Sequence, residues 1–147
     1  MIEYEAPNPD FERAVKERIS AMPVSRFYGF RFGALAPGEA EIVQPYREEL
    51  SHQEGFFQGG VIGAVADFAA GAAAGTLLPA GWANATADYT VKIVAPGGGE
   101  RLVARGRVVK PGRTLTVVGV EVHAAEAERE TLCATALVTF RNLAPKS

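Results

Sequence analysis

Cysteine is nearly missing from this chain: Cys133 stands alone among 147 residues, which excludes an internal disulfide framework and fits a reducing compartment. Serine is scarce as well. The four present, Ser20, Ser25, Ser51 and Ser147, include none in a G-x-S-x-G nucleophile elbow. His52 and His123 are the only histidines; they lie 71 positions apart and offer neither metal-ligand spacing nor H-E-x-x-H. The run Gly97-Gly98-Gly99 lacks the Lys-Ser/Thr of a phosphate-binding loop and reads as a turn. Serine hydrolase, zinc enzyme and nucleotide triphosphatase are therefore disfavoured, and no metal or organic cofactor is expected.

A charge excess is lacking too. Fifteen basic residues against 17 acidic leave a net charge of −2, without the basic surplus of an electrostatic nucleic-acid binder. The start, MIEYEAPNPDFERAV, carries acids where a secretory signal needs a basic region and an apolar run. The tract 55–87 is interrupted by Asp67, Gly, Pro and Asn, so no membrane span is expected. What is present is a 48% apolar composition, enough for one compact domain over residues 1–147, and a cytoplasmic location is expected.

Periodicity then orders the chain. Asp10 can cap a short helix with Phe11, Val15, Ile19 and Met22 along one stripe, ending at Pro23; residues 1–26 form this N-terminal segment and 27–142 the core. Strands are predicted over 27–35 and 39–44 around Pro37-Gly38, and a polar connection over 45–58. The main helix is predicted over 59–79. Four more strands follow: 85–94, 101–110, 114–123 and 131–141. Thr114, Thr116, Val118, Val120 and Val122 share one face of the third; Leu132, Ala134, Ala136, Val138 and Phe140 share one face of the fourth. One central helix cannot supply the crossovers of a parallel sheet. The expected fold is α+β, an antiparallel sheet curled around one buried helix.

That helix has no polar face, and between Glu54 and Asp88 its Asp67 is the sole ionisable side chain. A carboxylate so placed costs several kcal/mol unless paired, hydrogen-bonded or protonated, which makes it a candidate catalytic acid or base. The plainer reading gives Asp67 a water-filled notch or a bond to a neighbouring loop. Gly59-Gly60 at the helix start lets backbone N–H groups, at the positive end of the macrodipole, polarise a carbonyl as an oxyanion hole does. Eight residues of helix separate Gly59 from Asp67 by roughly 12 Å. One chain cannot readily bring both to one substrate atom, whereas two chains with their helices antiparallel can. If both groups are catalytic, a dimer with two composite sites is expected.

The segment H-Q-E-G-F-F-Q-G-G-V-I-G-A-V-A-D, His52 to Asp67, resembles the signature of hot-dog-fold acyl-CoA thioesterases of the phenylacetate-degradation (PaaI-like) group. T-A-D-Y-T-V-K-I-V-A-P, Thr86 to Pro96, resembles the strand after the helix in that family, and K-P-G-R-T, Lys110 to Thr114, its next hairpin turn. The resemblance implies that Gly59 donates its N–H to a thioester carbonyl and that Asp67 of the partner subunit activates water or attacks directly. It implies that Thr86 helps hold the attacking water. Two positions depart from the pattern: Gln58 replaces the usual His, and His52 stands seven before Gly59, where Asn is common. Glutamine bonds but carries no titratable proton near neutrality. His52, Gln58 and Gly60 remain candidate substrate-binding positions, His52 equally a bystander on its loop. Arg101, Arg105 and Arg107, with Lys110 and Arg113 at the following turn, offer cations for coenzyme A phosphates, Arg113 foremost; Val103 and Val109 on the same face favour an ordinary solvated surface.

The expected activity is hydrolysis of acyl-CoA to free acid and CoA by a homodimer or homotetramer, with no nucleic acid or membrane as partner. A non-catalytic acyl-CoA-binding module would dispense with Asp67. A hydroxyacyl-thioester dehydratase or hydratase would use a His beside the helix, for which only His52 is at hand.

Overall fold

A computed structural model describes residues 2–147. The chain runs α1 (Phe11–Ser20), α2 (Pro23–Tyr28), β1 (Arg31–Ala36), β2 (Glu39–Pro45), a 3-10 turn (Glu48–Leu50), β3 (Ser51–Gln53), β4 (Phe56–Phe57), α3 (Gly59–Gly75), β5 (Ala83–Ile93), β6 (Arg101–Lys110), β7 (Leu115–Glu126) and β8 (Arg129–Leu143). Six strands pair antiparallel in the order β1-β2-β6-β7-β8-β5, and β3 with β4 makes a separate small hairpin. The sheet wraps α3, as the single-helix arithmetic predicts.

The inner face of the sheet follows period two. Ala40 and Ile42 of β2, Leu102 and Ala104 of β6, Val118, Val120 and Val122 of β7, and Ala134 and Val138 of β8 are all buried in one cluster with α3. The helix meets this face with small side chains, and the two backbones come unusually near. At Gly106 a Cβ would stand 2.8 Å from the Ala69 carbonyl oxygen, so β6 tolerates only hydrogen there. The C-terminal end of α3 is tied off by Thr76, whose Oγ1 donates to the Ala73 carbonyl at 2.7 Å and accepts from Gly38 N–H at 2.7 Å. That buried hydroxyl is fully satisfied and locks the β1–β2 turn to the helix.

Several expectations shift. Residues 27 and 28 are helical: Pro23 opens α2 as its first residue, Gly29 closes it in the left-handed region at φ 70°, and the strand begins only at Arg31. The main helix stops at Gly75, not 79. The polar connection holds the 3-10 turn and the β3–β4 hairpin. Asp10 occupies the N-cap position of α1, but its carboxylate pairs with Arg13 at 2.8 Å and bonds no helix N–H. Of the α1 stripe, Val15 and Ile19 are buried, whereas Met22 lies beyond the helix and is exposed. In β8 an irregularity in register at Val122/His123 turns Leu132 outward and puts Cys133 into the core in its place.

Candidate active site

α3 is not buried all round. From Ala69 to Thr76 every residue is buried, but Gly59, Gly60, Ala64, Asp67 and Phe68 keep some exposure. Asp67 thus sits half-buried on a narrow open stripe. β5 runs antiparallel beside it, and a break in register between Thr86 and Asp88 sets the strand's phase. Thr86 Oγ1 meets both carboxylate oxygens of Asp67, at 2.9 Å and 3.2 Å. Two residues earlier, Asn84 Nδ2 donates to the Gly71 carbonyl at 3.3 Å, one helical turn past Asp67. Burial pushes the Asp67 carboxyl above its usual range, and the hydrogen bond from Thr86 draws it part of the way back. No cation bonds it among the described residues, so its ionised form rests on one hydroxyl and solvent.

The glycine pair occupies the other end of α3. Gln58 is the N-cap: its extended backbone (φ −68°, ψ 144°) turns the chain into the helix, and its side-chain oxygen accepts from Val61 N–H at 3.2 Å. The Gln58 carbonyl accepts from Val61 and Ile62 N–H, at 2.9 Å and 3.1 Å. Among the described residues, the N–H groups of Gly59 and Gly60 are left without acceptors. These are the donors an incoming carbonyl oxygen would meet. A Cβ on Gly60 would come within 2.8 Å of Gln58 Oε1, so glycine there lets the capping side chain fold over the first turn.

His52 lies on the β3–β4 hairpin, exposed, its ring stacked on Phe56 with centroids 6.2 Å apart. It precedes the helix by one hairpin and bonds neither Asp67 nor Gly59. Arg113 is exposed at the β6–β7 turn, where Asn142 Nδ2 donates to the Gly112 carbonyl at 2.8 Å and, more weakly, to the Arg113 carbonyl at 3.4 Å. That turn belongs to the same end of the sheet as Thr86, which pairs with Phe140 of β8. The other arginines are engaged. Arg105 bonds Glu41 at 2.8 Å and grips Glu130 through two nitrogens, Arg107 meets Glu39 at 2.6 Å, and Arg101 donates to the Ala127 carbonyl at 2.8 Å. A groove on the outer sheet face runs between these pairs, lined by Glu39, Glu41 and Glu121 as well as Arg105 and Arg107.

Asp67 and Thr86 are therefore brought together, Gln58, Gly59 and Gly60 form a second group, and the uninterrupted helix keeps the two groups roughly 12 Å apart in one chain. Unforeseen from the sequence are Tyr28 and Tyr89, which with Phe68 border the open stripe.

The family model of the thioesterase superfamily matches residues 54–131. The chain belongs to the thioesterase superfamily. A thioesterase family protein from Silicibacter pomeroyi is 35% identical, with 91% of this chain and 98% of that one covered and a TM-score of 0.88. A thioesterase from Haemophilus influenzae (18% identity, 88% and 89% covered, TM-score 0.79) shares the fold. So does a phenylacetic acid degradation-related protein from Ralstonia eutropha (22% identity, 89% and 98% covered, TM-score 0.76). No curated protein matches the chain. The hot-dog fold and the superfamily's thioester hydrolysis follow for this thioesterase. Among the described residues, no helix is long and apolar enough to cross a membrane.

Proposed function

We propose that this thioesterase hydrolyses acyl-CoA at a site shared by two subunits. Asp67 of one chain takes a proton from water as that water attacks the thioester carbonyl. The developing oxyanion accepts the N–H of Gly59 from the partner, helped by the helix macrodipole. Collapse of the tetrahedral intermediate breaks the C–S bond, and the proton held by Asp67 goes to the departing CoA sulfur. The products are a free acid and CoA.

The observation that carries this reading is the Asp67 carboxyl: half-buried, raised above its ordinary range and, among the described residues, held only by Thr86. A raised pKa makes a carboxylate a better proton acceptor, as general-base catalysis requires. Thr86 is the positioning group, its hydroxyl fixing the carboxylate and leaving lone pairs for water.

The shared site is supported by the free edge of β5, which pairs with β8 on one side only and exposes Tyr89 and Ile93. Such an edge invites a second strand, and a second copy supplies one. Antiparallel helices across that junction would bring Asp67 of one chain to Gly59 of the other. Gln58 would then line the carbonyl site without carrying a proton. Gly60 would offer a second N–H, and His52 and Arg113 would border the thioester and its CoA arm.

Release of free thiol from a panel of acyl-CoAs, with wild type beside Asp67→Asn, tests the reading. Thiol release that falls by about 100-fold or more in the variant supports it. Undiminished turnover removes Asp67 from catalysis.

A further inference from the structure

The open stripe of α3 has a defined extent. Past Asp67 the helix is buried from Ala69 onward, so a substrate lying on this chain has room only toward Ala64 and Gly60. Successive helical residues turn by roughly 100°, which aligns Gly60, Ala64 and Asp67 and leaves Gly63 on one flank and Phe68 on the other.

Each flank carries a tyrosine. On the first, Tyr89 of β5 lies against the helix at Gly63: a Cβ there would be in ordinary contact, 3.4 Å from Tyr89 Cε2 and 3.7 Å from its hydroxyl oxygen. On the second, Tyr28 at the end of α2 meets Phe68 edge to face, with ring centroids 5.5 Å apart. Phe30 backs Phe68 from behind at 4.7 Å. The two phenols are electrostatic neighbours: burial, and after it Tyr89, holds the Tyr28 hydroxyl above its ordinary value. Among the described residues neither hydroxyl has a hydrogen-bond partner. A protonated phenol both donates and accepts, so two such groups beside the stripe stand open to a polar ligand.

We propose that Tyr28 and Tyr89 form the end wall of the acyl site, limiting it to short acyl groups and hydrogen-bonding a polar terminus on them. The proposal rests on the hydrolytic reading above and names the substrate class of that same site. An acyl chain leaving a carbonyl beside Asp67 reaches the pair after about one helical turn, ~5.4 Å. A longer alkyl tail meets the Tyr89 ring; a plain alkyl end leaves both hydroxyls desolvated and unpaired. A hydroxyl or keto group at the end of a short chain satisfies them.

The test compares kcat/KM for butyryl-, 3-hydroxybutyryl-, octanoyl- and lauroyl-CoA in wild type, Tyr89→Ala, Tyr89→Phe and Tyr28→Phe. The wild type is expected to favour the four-carbon substrates over lauroyl-CoA and the hydroxylated one over butyryl-CoA. Tyr89→Ala raises the lauroyl-to-butyryl ratio about tenfold or more, as truncating a pocket wall does. The two Phe variants keep the length limit and lower the hydroxybutyryl-to-butyryl ratio about tenfold. They retain both rings, so they give an answer even if Tyr89→Ala fails to fold. An active wild type whose ratios no folded variant changes overturns the end wall. Absence of thiol release by the wild type with every substrate contradicts the hydrolytic reading instead, so the two failures are distinct.

Discussion

Thr86 Oγ1 lies 2.9 Å and 3.2 Å from the two carboxylate oxygens of Asp67, joining an edge strand to the one charged residue of the central helix. Nineteen residues separate them in sequence, and the break in register between Thr86 and Asp88 accompanies the hydroxyl's turn toward the helix. The pair combines a carboxylate made more basic by burial with a single donor that fixes its orientation.

Replacing Thr86 by Val removes that donor. A hydrogen bond to a charged group is worth about 1.5–3 kcal/mol, so kcat/KM falls roughly 10- to 100-fold. The bond also draws the Asp67 pKa down, so the acid limb of the pH profile moves to higher pH in Thr86→Val. Thr86→Ser keeps both the rate and the limb near wild type. Initial rates across pH 4–8 check this, and an unmoved limb would contradict the assigned contact.

The Asp67 carboxyl also has a stability consequence. Its folded pKa lies above the unfolded value, so between the two the folded state binds more protons. Asp67's contribution therefore favours folding at pH below the unfolded pKa. That advantage is lost as pH rises through the folded value. Asp67→Asn lifts the burial penalty at neutral pH, and melting of this variant above wild type by about 2–4 °C at pH 7 is the expected result. The difference shrinks as pH falls toward 4. Thermal melts at the two pH values read it directly.

Gly106 and Gly119 form an internal comparison. A methyl at Gly106 meets the Ala69 carbonyl, backbone that cannot swing aside, and Gly106→Ala costs about 1–3 kcal/mol. At Gly119 the nearest atom to a Cβ is the Val109 side chain at 3.5 Å, ordinary contact, so Gly119→Ala stays within about 0.5 kcal/mol. Urea unfolding of both variants checks the close approach of helix and sheet.

Cys133 is fully buried, and burial pushes its thiol up to about 11. At pH 8 roughly one part in a thousand is then thiolate. A thiol reagent should find no reactive sulfur in the native protein at pH 8 and one per chain after unfolding. Rapid native reaction would mean that β8 is not packed as described.

Much of this was legible in the sequence because the signals were local. Alternation places Val118, Val120 and Val122 on the inner face, and the isolation of Asp67 in an apolar helix marks it as a candidate. The misses share a physical cause. Phe27 and Tyr28 look strand-like by composition, yet Pro23 and Gly29 bracket them as a helix. The register irregularities beside Ala87 and Cys133 have no compositional mark, since an extra residue in a strand changes the phase and not the residue types. The approach of Tyr28 and Tyr89 to the open stripe depends on α2 and β5 both packing against α3, which no window along the chain contains.

The most direct measurement is complementation between two inactive variants. Asp67→Asn removes the base. Gly59→Pro removes the N–H at the first helical position, where proline is tolerated and the extended Gln58 before it fits. Subunits of the two, dissociated and reassociated in equal amounts, give mixed dimers in half of the pairs, each with one intact composite site. The account predicts recovery of about one quarter of wild-type thiol release. Verified exchange of subunits with no recovery would contradict it, placing both groups in one chain or removing one from catalysis.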